Sequence, residues 1–144
     1  MLGEEKMNVQ LQWTRIRPNT DDLWRLCRVL YAYSTPDLRE VLYVGKVLTT
    51  TVAQRWDAAD KSSFWHDLEI QRGIFGHQVI VGEPLLPLNC RFSRELLADM
   101  ESLLVSSVEP WGNIQCQNSR ICRPGLRVRC IGDWPHPEKL FHDR

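Results

Sequence analysis

CRVLYAYSTPDLREVLYVGKV, residues 27–47, decides how this chain folds. Cys27–Ser34 is rich in β-branched and aromatic side chains, which suit the half-buried pleat of a strand. Thr35-Pro36-Asp37 is a turn signal, because proline presets its own φ and threonine and aspartate bond back to nearby backbone. Val41–Val47 has the composition of the first segment and reads as the returning strand. The two predict a hairpin centred near Asp37, with Tyr31 opposite Tyr43 and their side chains close on one face. Taken alone, such a tyrosine pair reads as core packing. Gly45 sits inside the second strand, where a glycine weakens the strand and often marks close approach by another backbone or a ligand.

Outward from the hairpin the pattern continues in both directions. Residues 8–17 alternate well enough for a strand or an extended arm, and a short helix is expected near 21–26. Thr51 and Gln54 stand at capping-box spacing and start a helix that carries Arg55. Ser63–Gln71 predicts a second helix ended by Gly73, and Gln78–Val81 a short strand. Gly82–Phe92 contains two prolines and reads as loop. Ser93–Glu109 is the clearest helix, capped by Ser93 and stopped by Pro110. Leu126–Gly132 predicts a final strand, followed by a tail packed by Trp134. These elements predict an α+β fold of one domain over residues 1–144, a small and mostly antiparallel central sheet flanked by helices. The hairpin is expected at the centre of that sheet.

Composition narrows the function classes. The net charge is zero and the pI is near 6.9, so the whole molecule lacks the basic footprint of many nucleic-acid binders. The charge is unevenly spread: Arg120, Arg123, Arg127 and Arg129 lie between Gln115 and Ile131 with no acid among them. Such a local strip can hold phosphate in a neutral protein. Five cysteines and no signal-peptide pattern argue for reduced thiols in a cytoplasm rather than a secreted disulfide framework. Cys116, Cys122 and Cys130 do not have the spacing of a zinc ribbon or finger. No apolar run is long enough for a membrane span.

On the Ser93–Glu109 helix, Leu96, Leu97, Met100, Leu103, Leu104 and Val108 form one apolar face. Glu101 falls inside that arc, while Asp99, Ser102 and Ser106 are expected on the solvent side. A carboxylate on a buried face must be paired, hydrogen-bonded or bound to a metal. A salt bridge to Arg55 and a metal site both satisfy that requirement. Asn113, just past the helix stop, is on its own a turn residue.

Val29-Leu30-Tyr31, Tyr43-Val44-Gly45-Lys46, Arg55 on the next helix, Glu101 in a later helix, and then Pro110 and Asn113 occur in that order. The series resembles the GIY-YIG nuclease superfamily across residues 27–115. The Tyr-Val-Gly-Lys form is similar to that of the N-terminal nuclease domain of the bacterial excision-repair protein UvrC. Val29 stands where the family has its first glycine. The stretch Trp56–Asp60 lacks the histidine or tyrosine that many members carry one turn past the arginine, and His66 is the candidate to replace it.

The resemblance implies a metal-dependent endonuclease that hydrolyses phosphodiester bonds, with DNA expected before RNA. Glu101 would hold one Mg²⁺ or Mn²⁺. Tyr31 or Tyr43 would position or deprotonate the attacking water, with Lys46 and Arg55 supplying positive charge and Arg55 gripping the scissile phosphate. Asn113 would support the site by hydrogen bonds. Substrate recognition would fall to residues 1–26 and 114–144, to a second subunit, or to a partner protein. The alternative is a catalytically inactive module of the same fold that binds nucleic acid or protein.

Overall fold

The computed structural model describes residues 7–17, 22–58, 62–116 and 123–142. Among them six strands form one sheet: β1 (Met7–Arg15), β2 (Val29–Ser34), β3 (Val41–Val47), β4 (Gln78–Leu85), β5 (Leu126–Gly132) and β6 (Leu140–His142). Three α-helices accompany it: α1 (Val52–Ala58), α2 (Ser62–Arg72) and α3 (Arg94–Val108). Short 3-10 helices cover Asp22–Arg25 and Trp111–Cys116. The strand order is β3-β2-β4-β1-β5-β6, and all neighbours are antiparallel except β1 and β5. The α+β architecture with a mostly antiparallel sheet therefore follows the expectation. No described helix is long and apolar enough to cross a membrane.

The hairpin is not at the centre of the sheet. β3 is an edge strand, and β2 pairs with both β3 and β4. β2 is buried at all six positions, whereas β3 leaves Tyr43 and Lys46 partly open. The centre belongs to β4 and β1, whose pairing partners are remote in sequence.

The hairpin register also differs from the expected one. Tyr31 lies opposite Gly45, and Tyr33 opposite Tyr43, with a bulge between Tyr33 and Ser34. The turn is longer than Thr-Pro-Asp alone. Thr35 N–H donates to Glu40 O, and Thr35 Oγ1 accepts from the backbone N–H groups of both Arg39 and Glu40. Leu38 takes a φ of 59°, so the pairing centres there rather than at Asp37. Side chains alternate with period two, so a shift of two residues between partners leaves Tyr31 and Tyr43 on one face.

Two further expectations are corrected. β4 continues to Leu85 through Pro84 instead of ending at Val81. Beyond Gly82 it is flanked only by β1, so the ladder no longer asks for two donors, the setting in which a strand tolerates proline. β5 is not the last strand, because the chain turns at Trp134 and returns as β6. Trp134 is buried, lies 4.9 Å from Trp13 between ring centroids, and donates its indole N–H to Glu138 O at 2.9 Å.

The sheet divides the core into two layers. On one face Val9, Leu11, Trp13, Leu30, Val44 and Val128 meet Leu97, Met100 and Leu104 of α3. On the other, Val29, Tyr31, Tyr33, Val79 and Val81 meet Val52 of α1 and Leu68 of α2. Asp99 lies in the first layer and is not on the solvent side of α3. It is only 5% exposed, and Arg123 from the segment entering β5 pairs with it. Ser102 and Ser106 are half-buried.

Candidate functional site

The tyrosines form a cluster on the α1–α2 face of the sheet. Ring centroids are 6.0 Å apart for Tyr31 and Tyr43, 5.6 Å for Tyr31 and Tyr33, and 5.5 Å for Tyr33 and Tyr43. Tyr31 reaches Tyr43 diagonally because its ring lies across Gly45: a Cβ at position 45 would fall 2.5 Å from the Tyr31 hydroxyl and ring. The close approach at this glycine is thus made by the facing aromatic side chain. Phe64 and Trp65 of α2 pack on the same cluster, at 6.1 Å from Tyr43 and 5.1 Å from Tyr33.

Arg55 comes to this cluster from α1. The expected capping box forms in both directions, with Gln54 N–H donating to Thr51 Oγ1 and Thr51 N–H donating to Gln54 Oε1. The helix start is tied down again by Val52 N–H donating to Leu26 O at 3.0 Å. Arg55 is exposed, and its guanidinium hydrogen-bonds to the Tyr31 hydroxyl, which raises the arginine above its usual range.

Glu101 approaches from the opposite side. It projects from α3 toward β3, where Lys46 Nζ lies 3.1 Å from its Oε1. Lys46 is opposite Leu30 and so faces the α3 layer, while Tyr43 and Gly45 face the other layer. The two groups meet around the open edge of β3. Tyr43 responds to both: burial pushes its hydroxyl well above the ordinary tyrosine range, Tyr31 and the Glu101 carboxylate push it further, and Arg55 pulls the other way.

Asn113 holds that edge. Its Oδ1 accepts from Val44 N–H at 2.8 Å, and its Nδ2 donates to Val44 O at 3.0 Å. An edge strand presents unpaired backbone groups, and this amide satisfies one donor and one acceptor between Tyr43 and Gly45. Gly112 allows the approach, since a Cβ there would lie 2.4 Å from the Phe64 ring and 2.8 Å from Leu42 O. Asn113 therefore fixes the β3 backbone next to Tyr43.

Burial distinguishes two of the three tyrosines. Tyr33, like Tyr43, is pushed far up, chiefly by burial, so both remain neutral donors across physiological pH. Tyr31 is the tyrosine whose hydroxyl Arg55 hydrogen-bonds. Glu101 has a partly exposed side chain, 22% open, and among the described residues only its Oε1 is engaged. A partly open carboxylate of this kind fits Mg²⁺ or Mn²⁺, which binds readily through a single carboxylate with water and phosphate completing the shell. No group of three or more His, Cys, Asp or Glu side chains exists among the described residues, so any ion here would take few protein ligands.

Tyr31, Tyr43, Lys46, Arg55, Glu101 and Asn113 are thus gathered around one strand edge. The ion pair of Glu101 is with Lys46; the alternative pairing with Arg55 is not formed. His66 is exposed on α2, while the neighbouring Phe64 and Trp65 turn to the tyrosines. Arg123 is engaged by Asp99. Arg127 and Arg129 share the sheet face of Tyr31 by register, on the far strand β5, and Arg120 lies outside the described residues. The side chains of Cys116 and Cys122 also lie outside them, and Cys130 is buried, its thiol pushed up to about 12 by burial.

Tyr33 and His77 were missed from the sequence. His77 stacks on Trp65 at 3.9 Å and lies 5.9 Å from Tyr33. Tyr33 was legible in principle, because it shares the period-two face of Tyr31. His77 carried no signal, because it precedes β4 in an irregular segment. Comparison with family models, curated proteins and solved structures returns no match for this chain.

Proposed function

We propose that this protein is a metal-dependent endonuclease acting on nucleic acid, DNA first among its substrates. One observation carries the reading. Tyr43 lies 6.0 Å from Tyr31 between ring centroids and feels the charges of both Glu101 and Arg55, Arg55 also holds the Tyr31 hydroxyl, and Lys46, on the same strand as Tyr43, pairs with Glu101. Phosphodiester hydrolysis needs an activated water, neutralised phosphoryl oxygens and a stabilised leaving oxygen. Arg55 grips the phosphate, with a planar fork suited to two of its oxygens. Tyr31 positions the attacking water through its hydroxyl, which Arg55 holds in place. Tyr43 donates a hydrogen bond and Asn113 holds its strand in place. Lys46 orients Glu101 until substrate arrives. Glu101 would hold one Mg²⁺ or Mn²⁺, which supplies charge neutralisation at the phosphate.

Glu101→Gln keeps the shape and a hydrogen-bond acceptor for Lys46 but removes the charge. Loss of several kcal/mol of charge stabilisation predicts a fall of about a hundredfold or more in nicking of supercoiled plasmid with Mn²⁺ or Mg²⁺. Nicking at the wild-type rate by this variant would refute the assignment. A second reading, an inactive module of the same fold that binds nucleic acid or protein, is favoured by Lys46 sitting on Glu101. That module would leave plasmid supercoiled even with the wild-type chain in excess.

A further inference from the structure

Beside Lys46 the surface opens into a cleft of about 440 Å³, lined by Lys46, Leu48, Arg94, Glu95, Ala98 and Asp99. A second hollow of about 570 Å³ shares Leu48 and Arg94 with it and adds Cys27, Arg28, Thr49, Phe92 and Ser93. The shared residues make the two one groove, running from the Lys46–Glu101 pair past the end of β3 to the start of α3. Its far part holds two arginines and no acid. Arg28 and Arg94 are both exposed, and neither is in an ion pair among the described residues. Arg28 lies over the Phe92 ring at 5.7 Å and holds a φ of 61°, a conformation that a long side chain rarely adopts. Arg94 is the first residue of α3, where the helix dipole disfavours a cation. Both guanidiniums are therefore kept where the fold itself gains little from them.

We propose that this groove binds the sugar-phosphate backbone of a single nucleic-acid strand flanking the cleavage site, with Arg28 and Arg94 as phosphate anchors. The inference rests on the nuclease reading for its direction, toward Glu101. The occupant follows from the chemistry of the lining. Two unpaired guanidiniums match phosphate oxygens. Thr49 and Ser93 add hydroxyls, and Leu48, Phe92 and Ala98 offer apolar surface to sugar and base faces. A groove with these contacts positions a strand without reading its sequence.

The test uses the full chain with Arg28→Ala/Arg94→Ala and a fluorescein-labelled 20-nucleotide single strand, read by anisotropy across a salt series without divalent metal. Neither arginine belongs to the cleavage machinery, and both are exposed, so the melting temperature should hold. Loss of two phosphate contacts flattens the slope of log affinity against log salt by about 1.4. Plasmid nicking by the double variant shows a raised KM at an unchanged kcat, and Arg28→Lys/Arg94→Lys restores most of the binding. An unchanged affinity and slope would overturn the groove. So would no binding by the wild-type chain at low salt, or a loss confined to duplex DNA. The nuclease reading fails separately, if the wild-type chain binds strand through these arginines yet never nicks.

Discussion

A methyl group at position 45 would sit 2.5 Å from the Tyr31 hydroxyl and ring carbons, closer than any real contact. Gly45→Ala must therefore push Tyr31 off its place, and with it the hydroxyl that Arg55 holds. Overpacking of this kind destabilises by about 1–3 kcal/mol, so a denaturant midpoint should fall, and nicking should fall further than stability does. Gly45→Ala/Tyr31→Phe is the control: if the clash is with the hydroxyl end, removing that oxygen recovers part of the lost stability. A Gly45→Ala protein as stable and active as wild type would contradict the geometry. At this scale the sequence was informative about what and silent about by whom. A glycine inside a strand announced close approach, but the approaching group could be identified only once the register was known. The same holds for Glu101. Its place on an apolar arc showed that it needed a partner, while the partner, Lys46, lies on a strand whose outward face the helix pattern cannot report.

Elements were legible where their signals are local. The Thr51–Gln54 box, the Ser93 cap and the Glu109-Pro110 stop were all readable, because each depends on residues within one turn. Asp99 was misread because a helical wheel shows one helix and not the chain that later packs on it. The Asp99–Arg123 pair now makes a directional prediction. Asp99 is 5% exposed, whereas the Arg123 side chain is 30% exposed. Arg123→Ala leaves a largely buried carboxylate without its partner and should destabilise by about 1–3 kcal/mol. Asp99→Ala leaves a cation that can turn to water, and should cost clearly less. Urea unfolding of the two variants checks the order, and equal losses would mean that Asp99 finds another partner.

At the scale of the whole molecule the sheet order was the least legible feature. β1 pairs in parallel with β5, more than a hundred residues away in the chain, and no periodicity encodes such a choice of neighbour. The consequence is that the α1–α2 layer gathers its titratable groups from distant segments, namely Tyr33 from β2, Tyr43 from β3 and His77 from the approach to β4. Their common burial sets the pH range of stability. Burial holds His77 below its ordinary value of about 6.5, so the folded protein prefers the neutral ring. Below that pH the unfolded chain binds a proton that the folded chain refuses, and stability falls as acid is added. Burial raises Tyr33 and Tyr43, so above about pH 10 the unfolded chain releases protons that the folded chain keeps, and stability falls again. The buried Cys130 thiol, also raised, adds to the alkaline loss from about pH 9 upward. Unfolding midpoints should therefore change least between about pH 7 and 9 and drop on both sides. His77→Gln should flatten the acid side and leave the alkaline side unchanged. Tyr33→Phe should reduce only the alkaline loss. An acid-side slope that survives in His77→Gln would place the responsible group elsewhere in the chain, and would separate the stacked histidine from the tyrosine cluster it adjoins.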